Sequence, residues 1–287
     1  MFRFILPALL TVAATLPLHA RFLQVDPKRQ YVSSYTYTAN KPTTAVDPDG
    51  KEDVVVSGGE HNKDRYKYNF IETAIKQINE FKKEKSGEPI TWLVMDAGYS
   101  LYGKAAIKNT AKGLDVKLVF LSSAKELSNY LNSKNVDNKD LSPSRLADPV
   151  TNLVFMGHGY VGSFEGAHGQ KNKGNFSWGF PEIRQLSPGA FSETGECQFY
   201  SCKSAATNAT FDTSMSEKLS QQIPGLSVWG FTGYTSYSYG TVNKDEQMIH
   251  KIFRLNGFNT LGSRNLPGPW NDKSANVNFR VSPPNQP

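Results

Sequence analysis

Only two cysteines occur in this chain of 287 residues. That excludes a disulfide-stapled scaffold and a four-cysteine zinc module, and there is no Cys-x-x-Cys pair. No glycine group joins a strand to a helix with the spacing of a phosphate-binding or dinucleotide-binding loop. After the first twenty residues, no apolar run approaches the roughly 20 residues that a membrane-spanning helix needs, so no transmembrane anchor is expected. Charge of one sign is not concentrated either. The net charge of +6 is spread along the chain, and its densest run is Lys82, Lys83 and Lys85. That run closes an amphipathic helix and reads as a solvated face, so no specific nucleic-acid site is expected. Hydrophobic residues are not scarce: at 38%, with 12% aromatics, they suffice for a sizeable core and exclude global disorder.

The first twenty residues have the pattern of a secretory signal. Arg3 gives a positive start, Phe4 to Leu18 is apolar with two prolines, and Leu18-His19-Ala20 ends in a small residue. The expectation is a chain processed near Arg21 and secreted or periplasmic. Such a compartment permits disulfides, but Cys197 and Cys202 lie in one apolar strand-like run. Five extended residues span about 16 Å, while bonded cysteines need Cα atoms within about 7 Å. The expectation is two thiols, with Cys197 in the core.

Along the chain, residues 52–65 read as a short strand and a loop. A helix is predicted over 65–85 from Ile71, Ala74, Ile75, Ile78 and Phe81. Strands follow at 90–96, 116–121, 152–156, 196–201 and 226–232, with helices near 103–112, 122–132, 212–223 and 244–256. Residues 133–149 read as a polar linker, and 160–190 as irregular. Strands that are unbroken apolar runs, separated by helices, indicate a mostly parallel sheet covered on both faces, a three-layer α/β fold. In such sheets ligands bind outside the strand carboxyl ends. Asp96, His158, Cys202 and Thr232 all fall there.

His158 stands between two glycines at a strand end, which lets backbone approach a ligand and frees the Gly159 N–H for an oxyanion. Cys202 ends the next strand and opens a run of small residues, where a thiol beside a histidine can act as a nucleophile. Its own N–H offers a second oxyanion donor. Two other arrangements stay open on residue types alone: Cys202 with His250, and a zinc site from His158, His168, Cys197 and Cys202. No cofactor is called for, and His61 reads as a solvated loop residue.

Two resemblances bear on these residues. Arg21-Phe22, Asp26-Pro27, Tyr35-Thr36-Tyr37, Asn40-Lys41-Pro42 and Asp47-Pro48-Asp49-Gly50 resemble the end of the Rhs repeat-associated core, which precedes variable toxin domains in polymorphic toxins. This divides the chain into a signal at 1–20, an Rhs-like remnant or linker at 21–51 and an effector module at 52–287. The second resemblance rests on Leu153-Val154-Phe155-Met156-Gly157-His158-Gly159 and Gln198-Phe199-Tyr200-Ser201-Cys202, with the cysteine 44 positions after the histidine. That order is similar to the caspase-like cysteine peptidases, and the Gly-His-Gly form to toxin autoprocessing domains. Ser201 stands where many relatives have Ala or Gly.

The caspase-like resemblance implies a caspase-like fold and an endopeptidase with His158 as acid–base and Cys202 as nucleophile, working through an acyl-enzyme on a protein substrate. It further implies a specificity role for Asp96, which would favour Lys or Arg before the scissile bond, with a helix-cap role as the alternative, and a substrate groove lined by Trp229 and Thr232. It also leaves room for a small-molecule activator, and the toxin resemblance for a cognate immunity protein. The competing expectations are a toxin domain of another kind that binds an anionic target, and an inactive binding module.

Overall fold

Three consecutive valines, Val54 to Val56, make the centre of β1 (Glu52–Ser57), every residue of which is buried. A strand with both faces covered belongs inside a sheet, and β1 is flanked by parallel strands on either side. The computed structural model describes residues 51–59, 68–84, 88–167, 176–237 and 257–282. The signal-like and Rhs-like segments, His61, His168 and the helix expected at 244–256 lie outside the described residues.

After β1 come α1 (Asn69–Glu84), β2 (Ile90–Met95), α2 (Leu101–Gly113), β3 (Lys117–Leu121), α3 (Ala124–Ser133), α4 (Pro143–Ala147) and β4 (Val150–Met156). A small antiparallel sheet follows, built from β5 (His158–Tyr160), β6 (Ser163–Glu165) and β7 (Ser177–Gly179). Then come α5 (Phe180–Ile183), β8 (Phe191–Tyr200), α6 (Met215–Gln222) and β9 (Ser227–Phe231). The last strands are β10 (Thr235–Ser236), β11 (Gly268–Pro269) and β12 (Asn276–Phe279).

The main sheet has seven strands in the order β12-β9-β8-β4-β1-β2-β3. Six are parallel, and β12 runs antiparallel on β9 at one edge. Alternate residues of each strand feed opposite layers. Val55, Trp92, Val94, Val154 and Met156 pack under α1 and α2, through Ile71, Ile75, Ile78, Ala106 and Ile107. Val54, Leu93, Phe155, Phe199 and Val228 pack under α3, α5 and α6, through Leu127, Leu131, Ile183 and Leu219. The fold is the expected three-layer, mostly parallel α/β sandwich. Among the described residues no helix is long and apolar enough to cross a membrane.

Three regions differ from the sequence reading. The span 133–149 is not wholly linker. Ser142 accepts a hydrogen bond from the Arg145 N–H and starts α4, with Pro143 at its first position. The span 160–190 carries the small sheet, α5 and a 3₁₀ turn at Pro188–Ala190. The tail adds β12, whose Val277 and Phe279 alternate with asparagines.

A charged cluster sits at the amino ends of the strands. The fully buried Arg145 donates to Glu52 Oε2 at 2.6 Å, and Thr91 and Tyr130 hydroxyls also donate to Glu52. Burial pushes the Glu52 carboxyl up, but the charges of Arg145 and Lys134 and these hydrogen bonds outweigh it and lower it to about 2. The network ties α4 to β1, at the end of the sheet opposite His158 and Cys202.

Candidate active site

Where the chain order of strands reverses, between β1 and β4, backbone meets backbone. The Gly58 N–H donates to the Met156 carbonyl at 2.7 Å, and the Gly59 N–H to the Gly166 carbonyl at 2.6 Å. Carboxyl ends beside such a reversal are where open α/β sheets form ligand sites. The next strand over, β8, pairs in register with β4: Phe155 opposite Phe199, and Met156 opposite Tyr200. Continued for two residues, this register sets His158 opposite Cys202.

His158 stands on the α1 face, and the register of β8 points Cys202 to the same side. The His158 ring meets Phe70 of α1 edge-on, with centroids 5.1 Å apart. Cys202 is two positions beyond Tyr200, which packs on the same layer. Both side chains are half-buried. Gly159 closes the space between their backbones. A methyl group there would lie 2.5 Å from the Cys202 carbonyl oxygen, 2.9 Å from Ser201 Cβ and 3.1 Å from the Cys202 nitrogen.

The hairpin explains what the Gly159 amide faces. Val161 and Gly162 form a two-residue turn between Tyr160 and Ser163, and Gly162 takes φ of +86°. Tyr160 and Ser163 then form the hydrogen-bonded pair that closes the turn, so the next pair, Gly159 and Phe164, is not hydrogen-bonded. The Gly159 N–H therefore points away from β6, on the edge that runs along Ser201 and Cys202.

Immediately after Cys202 the chain turns. Lys203 adopts the left-handed region at φ 56°, which non-glycine residues rarely visit. The turn is pinned by the Lys203 N–H to the Gly233 carbonyl at 2.7 Å and the Ala205 N–H to the Phe231 carbonyl at 3.0 Å. Among the described residues, the hydrogen-bond partners of the Cys202 sulfur are all on Thr235. The Thr235 N–H donates to Sγ at 3.4 Å, the Thr235 hydroxyl lies 3.4 Å from Sγ, and the Thr235 carbonyl is 4.0 Å away.

Tyr237 joins the two strand ends. Its hydroxyl accepts from the Gly157 N–H at 2.9 Å and donates to the Tyr200 carbonyl. Its ring meets Phe70 edge-on at 5.0 Å. Neither Thr235 nor Tyr237 was signalled by the sequence, because both act through contacts more than thirty residues away.

The other expected residues are not gathered at this point. Asp96 ends β2, which β1 separates from β4. Its carboxylate is ion-paired to Lys104 of α2 at 2.6 Å, and the cap of α2 is Ser100, not Asp96. Trp229 is half-buried on the α1 face, opposite Gln198, and so about 13 Å down the sheet from Cys202. It lines a cavity of about 680 Å³ with Lys76, Gln77, Tyr200 and Arg264. Thr232 is exposed, and its hydroxyl accepts from the Ala275 N–H at 3.0 Å, anchoring the approach to β12.

Cys197 is fully buried, burial pushes its thiol well up, and both cysteines are free. Among the described residues no group of three or more His, Cys, Asp and Glu is placed to hold a metal.

The carboxyl end of the sheet carries exposed aromatics. All four exposed aromatic side chains among the described residues, Tyr102, Tyr160, Tyr234 and Trp270, lie at the carboxyl end of the main sheet. Tyr160 follows Gly159, Tyr234 precedes Thr235, and the Trp270 N–H donates to the Tyr234 carbonyl at 2.9 Å. The Lys203 ammonium lies 4.8 Å from the Tyr234 ring centre. No known protein family, curated protein or solved structure matches the chain.

Proposed function

We propose that the chain is a cysteine endopeptidase, with Cys202 as nucleophile and His158 as its acid–base partner. The observation that supports this reading is the register of β4 and β8, which runs to Met156 opposite Tyr200, two residues before His158 and Cys202, together with Gly159 packed against the Cys202 backbone. The Gly-His-Gly and later Cys blocks, similar to those of caspase-like peptidases, support the same assignment.

His158 takes the thiol proton as the sulfur attacks the scissile carbonyl carbon. The oxyanion formed is met by the N–H groups of Gly159 and Cys202, on segments whose backbones are in close contact. Collapse breaks the C–N bond, and His158 returns the proton to the leaving amine. Water, deprotonated by His158, then cleaves the Cys202 thioester and frees the enzyme. The exposed aromatics at this end of the sheet offer apolar contact to substrate side chains flanking the cut. Asp96, already neutralised by Lys104, is poorly placed to select a basic residue.

The signal-like start and the Rhs-like remnant support a secreted effector or toxin, acting in the periplasm or in a target cell. An immunity protein that covers the carboxyl end of the sheet is the partner this reading calls for.

The test is N-terminal labelling of a bacterial lysate incubated with the protein, beside its Cys202→Ala and His158→Ala variants. New termini that vanish in both variants are expected, with aromatic or aliphatic residues enriched beside the cuts. Toxicity that survives Cys202→Ala and falls on reversal of basic residues would instead point to a toxin of another kind. Partner binding without turnover in every variant would point to an inactive module.

A further inference from the structure

The sequence offers no reason to attach Thr235 to the reaction, yet it is the residue that holds the sulfur. Three of its atoms converge on Cys202 Sγ: the amide nitrogen and the hydroxyl oxygen, both at 3.4 Å, and the carbonyl oxygen at 4.0 Å. We propose that Thr235 is a positioning residue for the Cys202 nucleophile, fixing the direction of the thiol and supplying two donors to the sulfur as negative charge collects on it. The proposal rests on Cys202 being the nucleophile.

The local pairing shows why this amide is available. Strands β10 and β11 pair antiparallel, with Thr235 opposite Pro269 and Ser236 opposite Gly268. The neighbouring Trp270 N–H donates to the Tyr234 carbonyl, which makes that pair hydrogen-bonded. Alternation then makes Thr235–Pro269 a non-hydrogen-bonded pair. Pro269 is tolerated there because it lacks an N–H and none is needed. The Thr235 N–H is thereby directed out of the ribbon, and it meets Cys202. Thr235 is itself buried, at 8% exposure, so bulk water competes little for these bonds.

The geometry suits a nucleophile better than a resting core thiol. A buried neutral thiol is a weak donor and needs no pair of donors facing it. Hydrogen bonds to a charged acceptor are about twice as strong as those between neutral groups. The amide and hydroxyl contacts therefore gain most in the state that attacks, in which the long thiol-to-carbonyl contact is given up. They also restrict the side chain at the residue before the strained Lys203 turn, where the backbone alone would leave the thiol free to swing.

The experiment measures the alkylation rate of Cys202 by iodoacetamide at fixed neutral pH, read by mass spectrometry of the Cys202 peptide, alongside peptide turnover. Thr235→Val, which keeps shape and removes the hydroxyl, is expected to slow alkylation and kcat each by about tenfold, with KM changed less than twofold. Thr235→Ser keeps both donors and is expected to stay within about twofold of the original protein.

A folded Thr235→Val variant with unchanged alkylation and kcat would overturn the proposal, and so would a tenfold loss in a folded Thr235→Ser variant. If Thr235→Val fails to fold, the Ser variant and Thr235→Ala carry the same comparison. A protein without peptidase turnover, but with Cys202 alkylation that follows this order, would sink the peptidase reading and leave the positioning role standing.

Discussion

Gly159 lies against Cys202 with no room for a side chain: a single methyl there would sit 2.5 Å from the Cys202 carbonyl oxygen. The obstacle is backbone, so no rotamer change relieves it. Gly159→Ala must push β5 away from the end of β8. The expected outcome is a fall in turnover of about 100-fold, the scale of a displacement near 1 Å in a reacting group. Stability should fall by about 1–3 kcal/mol, the usual cost of overpacking. Steady-state kinetics beside urea unfolding checks both, and a fully active variant would remove Gly159 from the site.

The hydroxyl of Tyr237 bridges the Gly157 amide and the Tyr200 carbonyl, and so clasps β4 to β8 just before His158 and Cys202. Tyr237→Phe keeps the ring contact with Phe70 and deletes the clasp. Losing the partner of part-buried backbone groups costs about 1–3 kcal/mol. The urea midpoint should drop accordingly, and turnover should fall with it. An unchanged midpoint would mean that the strand ends hold without the clasp.

Acid should unfold the protein partly through Glu52. Its carboxyl is lowered from 4.5 to about 2, so it binds a proton more readily unfolded than folded. Its contribution is complete above about pH 4.5 and drains away as pH falls towards about 2. Asp148 is shifted upward, first by burial, and opposes this in part. Urea unfolding at several pH values should show the loss. Glu52→Gln should flatten that acid dependence and cost roughly 3–5 kcal/mol at neutral pH, because it strands the buried Arg145 charge.

The apolar runs at 90–96, 152–156 and 226–232 announced their strands because these are largely buried on both faces, and the run at 116–121 announced the half-buried edge strand β3 by its apolar residues alone. The same logic put His158 and Cys202 at strand ends, where the structure has them. What stayed hidden depended on distant partners. The short strand read at 52–65 is β1, but the burial of its two acids was not legible: Glu52 is met by Arg145, and Asp53 Oδ1 accepts from Asn152. Strands β5 to β7 have three residues each, too few for a period to emerge. Thr235 and Tyr237 sit in a run of Ser, Thr and Tyr that fits a loop as well as a strand. Only the docking of that run onto β4 and β8 gives either residue its partner.

That docking also sets a timetable for synthesis. A ribosome that has released Cys202 has still to deliver Thr235, 33 residues later, and then β11, on which Thr235 pairs. The emerging chain can lay down its parallel strands and bring histidine and cysteine to neighbouring ends before its sulfur has anything to hold it. On the proposed reading the sulfur is held only after both strand ends are in place, and a chain cut between residues 202 and 235 would carry His158 and Cys202 without the contacts that direct the thiol.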